Sequence, residues 1–308
     1  MKSIVKMLFG SHLYGTETPK SDMDYKGVFL PDKRDLLLGK VPKSVSSNTK
    51  QGNGKNSQED IDTEIYSLSY FIHLACEGET VALDMLHAPE NMLVKTGSIW
   101  NAIVSNRERF YTKNLKAFIG YARRQASKYG VKGSRLNDAK KVLDYIASVP
   151  SQRMIDIWDK LPEGEHIHKN ENVIPRTYEV CGRQIQETAT TMYGYDIVKR
   201  FYASYGARAE QASKNMGIDW KAVSHALRAA YQAKQILTEG TIVFPLKEAN
   251  FLKQVKAGEL DYSTLVSPLL DELISEVGQL SEKSTLPMEV DRKYWDDFIV
   301  SVMEEYVI

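Results

Sequence analysis

The apolar positions of this chain change their spacing several times, and each change marks a predicted element. Residues 3–9 (SIVKMLF) form a short apolar segment, a strand or a short helix, that stops at Gly10. Residues 23–30 read as the next strand, with Asp22, Asp24 and Lys26 on one face and Met23, Tyr25 and Gly27 on the other. Residues 43–60 (KSVSSNTKQGNGKNSQED) carry no apolar period and read as a mobile loop. The stretch IDTEIYS then alternates Ile61, Thr63 and Ile65 with Asp62, Glu64 and Tyr66, the signature of a half-buried strand. From Ser67, expected as a helix cap, the period becomes helical through Leu68, Phe71, Ile72 and Ala75, and a second helix runs through Thr80, Leu83, Met85 and Leu86 to Pro89. Residues 151–190 are short strands and loops. The last third alternates amphipathic helices, among them Leu265–Leu280 and Tyr294–Tyr306.

Two stretches add a basic character to this pattern. A helix over about 113–128 places Leu115, Phe118, Ile119 and Ala122 opposite Lys113, Lys116, Arg123, Arg124 and Lys128, and a KGSR turn (Lys132–Arg135) follows. Between Lys113 and Lys141 nine basic residues face the single acid Asp138, an arrangement suited to an RNA backbone as well as to a solvated helix face. On a helix following Asp219 (DWKAVSHALRAAYQ), Lys221, Ser224, His225, Arg228 and Gln232 fall on one polar stripe.

Composition narrows the class. At 308 residues, 43% hydrophobic and 26% charged, the chain has ample length for one large or two ordinary domains of a globular protein. Its longest apolar runs fall far short of the ~20 residues that span a bilayer, and the start lacks a signal-peptide layout, so a cytoplasmic location is expected. Formal net charge is zero, which favours a local phosphate-binding face over a general nucleic-acid coat. Cys76 and Cys181 have no metal or disulfide spacing and read as buried thiols. His73 and His87 read as packing histidines, and His166-x-His168 lacks further ligands nearby.

The densest chemistry lies in residues 10–27, GSHLYGTETPKSDMDYKG. If Asp22 and Asp24 open a strand, its period of two puts both carboxylates on one face with Cβ atoms roughly 6–7 Å apart. Such a pair can grip two divalent cations, and Mg²⁺ prefers hard oxygen ligands shared with a substrate's phosphates. Gly10 and Gly15 let backbone N–H groups approach a phosphate, and Ser11 adds a hydroxyl donor, with Ser21 beside the acids. Lys26 is placed either to reach a bound phosphate or to balance the acids.

Gly-Ser, a spacer of about ten residues and Asp-x-Asp resemble the signature of the DNA polymerase β superfamily of nucleotidyltransferases. Within it, the chain is similar to the bacterial and phage RNA-repair-associated polymerase-β-like proteins. Blocks such as IYSLSYFIHLACEGETVALDMLHAPE, YGARAEQASKNMGIDWKAVSHALRAAYQ, FPLKEANFLKQVKAGEL and LPMEVDRKYWDDF carry the likeness along most of the length. His12 departs from it, since many relatives have arginine there.

The resemblance implies an α/β fold: a polymerase-β-like core of a small mixed sheet with flanking helices over 1–110, then a mainly helical domain over 111–308 that closes on the nucleotide. It implies a third metal carboxylate from the neighbouring strand, Asp62 or Glu64, with Asp62 closer to the family's placement. It implies that Lys221 and Arg228 neutralise triphosphate charge while His225 donates a hydrogen bond or holds Arg228. Tyr205, Arg208 and Lys247 are weaker base or phosphate contacts. The implied reaction moves a nucleoside monophosphate from a nucleoside triphosphate to a hydroxyl, with Mg²⁺ or Mn²⁺ and release of pyrophosphate. The acceptor could be an RNA end, a protein or a small molecule, and a nucleotide sensor without turnover is the alternative from another class.

Overall fold

A computed structural model gives the architecture for residues 1–19, 21–49, 60–113, 115, 118, 120, 122 and 133–308. The chain packs as two compact units. One gathers Met1–Ala126, Trp220–Leu260 and Pro268–Ile308, and the other gathers Ser127–Asp219 with Asp261–Ser267. This division departs from a linear boundary at residue 110, because the helices Trp220–Glu239 and Ala249–Ala257 belong with the strands of the N-terminal third.

The first unit is built on a mixed five-stranded sheet. Strands β1 (Lys2–Leu8), β2 (Met23–Leu30), β3 (Ser44–Asn48), β4 (Ile61–Ser67) and β5 (Leu93–Lys95) lie in the order β3-β4-β2-β1-β5. Only β2 and β4 run parallel, in a register that sets Asp24 opposite Asp62 and Lys26 opposite Glu64. The other pairs are antiparallel. Val5, Met7, Val28, Phe29 and Leu30 are buried, and helix Leu68–Cys76 contributes Leu68, Phe71, Ile72 and Ala75 to the same core. Gly27 sits where strands crowd: a Cβ there would lie 2.5 Å from Ile65 Cγ2 and 2.6 Å from the Val5 carbonyl oxygen.

Sequence segments far apart close this unit. The last helix, Arg292–Tyr306, stacks Trp295 on Phe110 with ring centroids 4.0 Å apart, and Arg292 pairs with Glu77. Ser224 Oγ donates to the Leu252 carbonyl at 3.0 Å and ties helix Trp220–Glu239 to helix Ala249–Ala257.

The second unit holds helices Gly133–Ala147 and Thr191–Ser213 and a three-stranded antiparallel sheet, Ile167–Asn170, Thr177–Val180 and Arg183–Gln186. Its core includes Val142, Trp158, Tyr178, Ile185 and Phe201.

Several local expectations change. The segment expected to be a loop at 43–60 contains β3, an edge strand whose Ser-rich sequence hides it from an apolar count, and residues 50–59 lie outside the described residues. Ser67 occupies a helix N-cap without capping, because its hydroxyl donates instead to the Lys43 carbonyl at 3.4 Å. The expected KGSR turn opens a helix at Gly133, and Lys132 lies outside the described residues. The same holds for Lys116, Arg123, Arg124 and Lys128 of the basic segment. Lys140 and Lys141 pair with Asp144 and Asp138 within their own helix. Among the described residues no helix is long and apolar enough to cross a membrane.

Candidate active site

The site begins where β1 ends. Phe9 donates its N–H to the Asp24 carbonyl at 2.8 Å, and the chain turns at once into the short helix α1, Gly10–Tyr14. Gly10 has φ +62°, and a Cβ built on it would stand 2.0 Å from Asp24 Oδ2. Only glycine fits both the backbone and the carboxylate pressed against it. Gly15 ends α1 at φ +72°, but its missing Cβ makes room for Pro245, 2.7 Å away, and the residue is absent from the cavity wall. The absence of a side chain at Gly15 thus serves close packing against Pro245. Before β2 the chain makes a tight turn in which Ser21 Oγ accepts the Thr18 N–H at 2.9 Å.

Three carboxylates converge here. Asp22 precedes β2, Asp24 lies in it and Asp62 lies opposite Asp24 on β4; each offers an oxygen within 4.8 Å of the others. Asp24 is half-buried, and burial, then the charges of Asp22 and Asp62, raise its pKa, with Lys26 and Lys221 pulling the other way. Three hard oxygen donors that repel one another and can approach one point are a donor set that fits a divalent cation such as Mg²⁺ or Mn²⁺. It is the only such cluster among the described residues, so the His166-x-His168 pair gathers no third ligand.

Register settles the choice of third acid. Glu64 is one row further along the sheet, where its Oε2 accepts from Lys26 at 2.6 Å and from the Tyr66 hydroxyl at 2.7 Å. Burial alone would raise its pKa, but these bonds outweigh it and lower it. Glu64 is therefore a counter-ion to Lys26 and stands outside the triad, while Lys26 itself also lines the cavity beside Asp22 and Asp24.

Asp22 and Asp24 line a cavity of about 410 Å³ floored by Gly10 and Ser11 and walled by helices Trp220–Glu239 and Ala249–Ala257, and Asp62 lines a neighbouring one over β2, β4 and β3. Lys221, His225 and Arg228 line it, as the polar stripe predicts, with Lys256 as a further cation. Burial and the neighbouring Lys221 lower the pKa of Lys256, while Asp22 and Asp24 oppose them. The sequence reading missed Lys256; its signal is a lysine four residues after the buried Leu252, at the border of the helix's apolar stripe.

Arg228 lines the cavity and also has partners within the protein. Its Nη1 donates to Asp84 Oδ2 at 2.8 Å and its guanidinium stacks over Tyr14 at 3.8 Å from the ring centre. Tyr14 donates to the same oxygen at 2.8 Å, and Gln232 Nε2 donates to Asp84 Oδ1 at 2.7 Å. Asp84 is fully buried; burial raises its pKa, and Arg228, Tyr14 and Gln232 pull it back towards the ionised form. The guanidinium expected to meet a triphosphate thus also pairs with a protein carboxylate. The sequence signal for this was an acid inside the apolar run Ala82–Leu86, which only a buried partner accommodates.

The remaining candidates are scattered. Tyr205 belongs to the second unit's core, stacked on Phe201 at 5.1 Å, and the Arg208 side chain lies outside the described residues. Lys247 is exposed, 3.8 Å from Glu239. His87 is a satisfied core histidine, and His73 is exposed and stacked on Tyr70.

A family model described as RlaP, RNA repair pathway DNA polymerase beta family, matches residues 2–146. Across 99% of its length the chain is also 42% identical to the "Uncharacterized 38.9 kDa protein in nrdC-mobD intergenic region" of Enterobacteria phage T4, covering 98% of that protein. The chain belongs to the RlaP family. No solved structure matches it. The matched RlaP segment contains Gly10, Ser11, the three carboxylates and Asp84, whereas Lys221, Arg228 and Lys256 lie beyond it.

Proposed function

We propose that this RlaP protein is a nucleotidyltransferase that joins a nucleoside monophosphate from a nucleoside triphosphate to a hydroxyl of an RNA end and releases pyrophosphate. The observation that carries this reading is the convergence of Asp22, Asp24 and Asp62, with Asp22 and Asp24 sharing one cavity with the Gly10–Ser11 bend, Lys221 and Lys256. Asp22, Asp24 and Asp62 would hold Mg²⁺ or Mn²⁺. When bound, the ion supplies Lewis-acid stabilisation of phosphoryl oxygens and makes the attacking hydroxyl more acidic.

The protein's own part is position and charge. Lys221 and Lys256 offset the triphosphate's charge, the Ser11 hydroxyl and nearby backbone N–H groups orient it, and Arg228 holds its wall of the cavity in place through Asp84. The acceptor oxygen bonds to the α-phosphorus as the bond to the β-phosphate's bridging oxygen breaks. Pyrophosphate leaves with that electron pair, and the hydroxyl proton passes to a carboxylate oxygen or to solvent.

RNA is favoured as acceptor by the RNA repair description of the family. The test is incubation of the protein with α-labelled triphosphates, Mg²⁺ or Mn²⁺ and total cellular RNA and protein. Label should enter RNA with the wild type and not with a folded Asp22→Ala, Asp24→Ala double variant. Transfer retained by that variant would refute the assignment. Triphosphate binding without pyrophosphate release would point to a nucleotide sensor, and label on protein or a small molecule would change the acceptor.

A further inference from the structure

The face of the sheet that turns away from the carboxylates is only partly covered. Side chains alternate between faces along a strand, so Leu8, Tyr25 and Thr63, neighbours across β1, β2 and β4, lie on the side opposite to Asp24 and Asp62. The next row on that side is Lys95, Lys6, Gly27 and Ile65, from β5 to β4. Phe29, further along the same face of β2, is buried, whereas Leu8, Tyr25, Thr63, Ile65 and Lys6 are half-buried and Lys95 is exposed. Neither row contains a carboxylate, because Asp24, Asp62 and Glu64 all leave β2 and β4 on the other side. Lys6 and Lys95 are directly opposed like charges, an arrangement that destabilises a sheet unless something neutralises it. Among the described residues neither has an ion pair, and Lys6 Nζ rests over the Tyr25 ring, 4.6 Å from its centre.

We infer that this outer face binds a single-stranded stretch of the RNA substrate, with a base stacked on Tyr25 and phosphates meeting Lys6 and Lys95. The inference rests on the RNA-acceptor reading and adds to it a second contact, on the opposite side of the sheet from the triad. An aromatic ring on an open sheet face, with cations beside it, is a general solution for holding unpaired bases, since every base has a π-face. A duplex hides those faces. Lys6 gives up only a partly exposed cation–π contact to reach a phosphate, and two opposed lysines match a backbone that carries one charge per nucleotide. An acidic protein would use the cations but leave the ring, and Leu8 and Ile65 on the same face, without a role.

The experiment uses the full-length protein in EDTA, so that no metal bridges RNA to the triad. Anisotropy of a fluorescein-labelled single-stranded oligoribonucleotide is followed over a series of salt concentrations. Tyr25→Leu should weaken binding about tenfold, and Tyr25→Phe should keep wild-type affinity. Lys6→Ser together with Lys95→Ser should weaken it by a similar factor and flatten the slope of log affinity against log salt by about 1.4, two contacts of roughly 0.7 each. Wild-type affinity for a nonhydrolysable triphosphate in Mg²⁺ shows that each variant is folded. Should Tyr25→Leu fail that check, Lys95→Glu decides, because Lys95 is exposed and reversing its charge should also cost about tenfold. A duplex of the same sequence should bind more weakly than the single strand, and poly-aspartate should compete poorly with it. Unchanged RNA affinity in the folded variants, equal binding of the duplex, or equal competition by poly-aspartate would overturn the inference while leaving the transferase reading intact. A wild type that binds triphosphate but no RNA would overturn this inference and RNA as the acceptor together.

Discussion

Removing the Arg228 side chain provides a sharp test of the buried network. In Arg228→Met, the Asp84 carboxylate, fully buried, keeps only the neutral donors Tyr14 and Gln232 at 2.8 and 2.7 Å. Breaking one side of a buried ion pair costs about 3–5 kcal/mol, because the remaining charge has lost its partner or must take up a proton. Against a total stability of about 5–15 kcal/mol that is a large share. Adding Asp84→Asn removes the stranded charge but keeps an amide that can still meet Tyr14 and Gln232, so the double variant should recover about 2 kcal/mol. Urea unfolding at pH 7, followed by tryptophan fluorescence, reads both numbers, since Trp100, Trp220 and Trp295 belong to the same unit as the network. If Arg228 were instead a free phosphate ligand, the single variant would fold normally and lose only nucleotide affinity. A single variant within about 0.5 kcal/mol of wild type, or a double variant no better than the single, refutes the network argument.

Other expectations are more local. Gly10→Ala must displace Asp24 Oδ2 from a 2.0 Å contact and adopt φ +62°, so transferase turnover should fall about a hundredfold, with a stability loss of about 1–2 kcal/mol; wild-type turnover would show that the contact relaxes harmlessly. Lys256→Met should weaken triphosphate binding about tenfold, measured by calorimetry, and unchanged affinity would remove Lys256 from the nucleotide site. His87 donates from Nδ1 to the Leu83 carbonyl and accepts from the Tyr111 hydroxyl at Nε2, each at 2.7 Å, and burial lowers its pKa to about 4. The unfolded chain then binds the proton more readily, so this stabilisation is complete above about pH 6.5 and declines towards pH 4 by roughly 3 kcal/mol. His87→Gln should flatten that slope in urea unfolding, and parallel slopes would disprove it.

What the sequence made legible and what it hid divide along physical lines. The Asp-x-Asp pair and the alternation through Ile61–Ser67 are local patterns, and both land where expected. Asp62 against Glu64 could not be decided by alternation, since both share one face; the parallel register with β2 decides it, and register is a long-range property. Of the polar stripe, Lys221, Ser224, His225 and Arg228 line the cavity with Asp22 and Asp24, while Gln232 is buried on Asp84. That Arg228 is engaged by an acid 144 residues earlier was beyond a reading of one helix at a time. Strand β3 went unseen because an edge strand with little to bury needs little apolar residue.

The order in which the first unit's segments arrive has a consequence for synthesis. A ribosome that has delivered residues 1–219 has made all three acids and Asp84, but not Lys221, Arg228, Gln232 or Lys256. The nascent N-terminal third therefore carries a cluster of negative charge that lacks Lys221 and Lys256, and a carboxylate destined for the interior that has not met its arginine. A stop codon before the helix Trp220–Glu239 would leave a product in which Asp84 has no arginine to meet, so truncation there should cost solubility as well as activity.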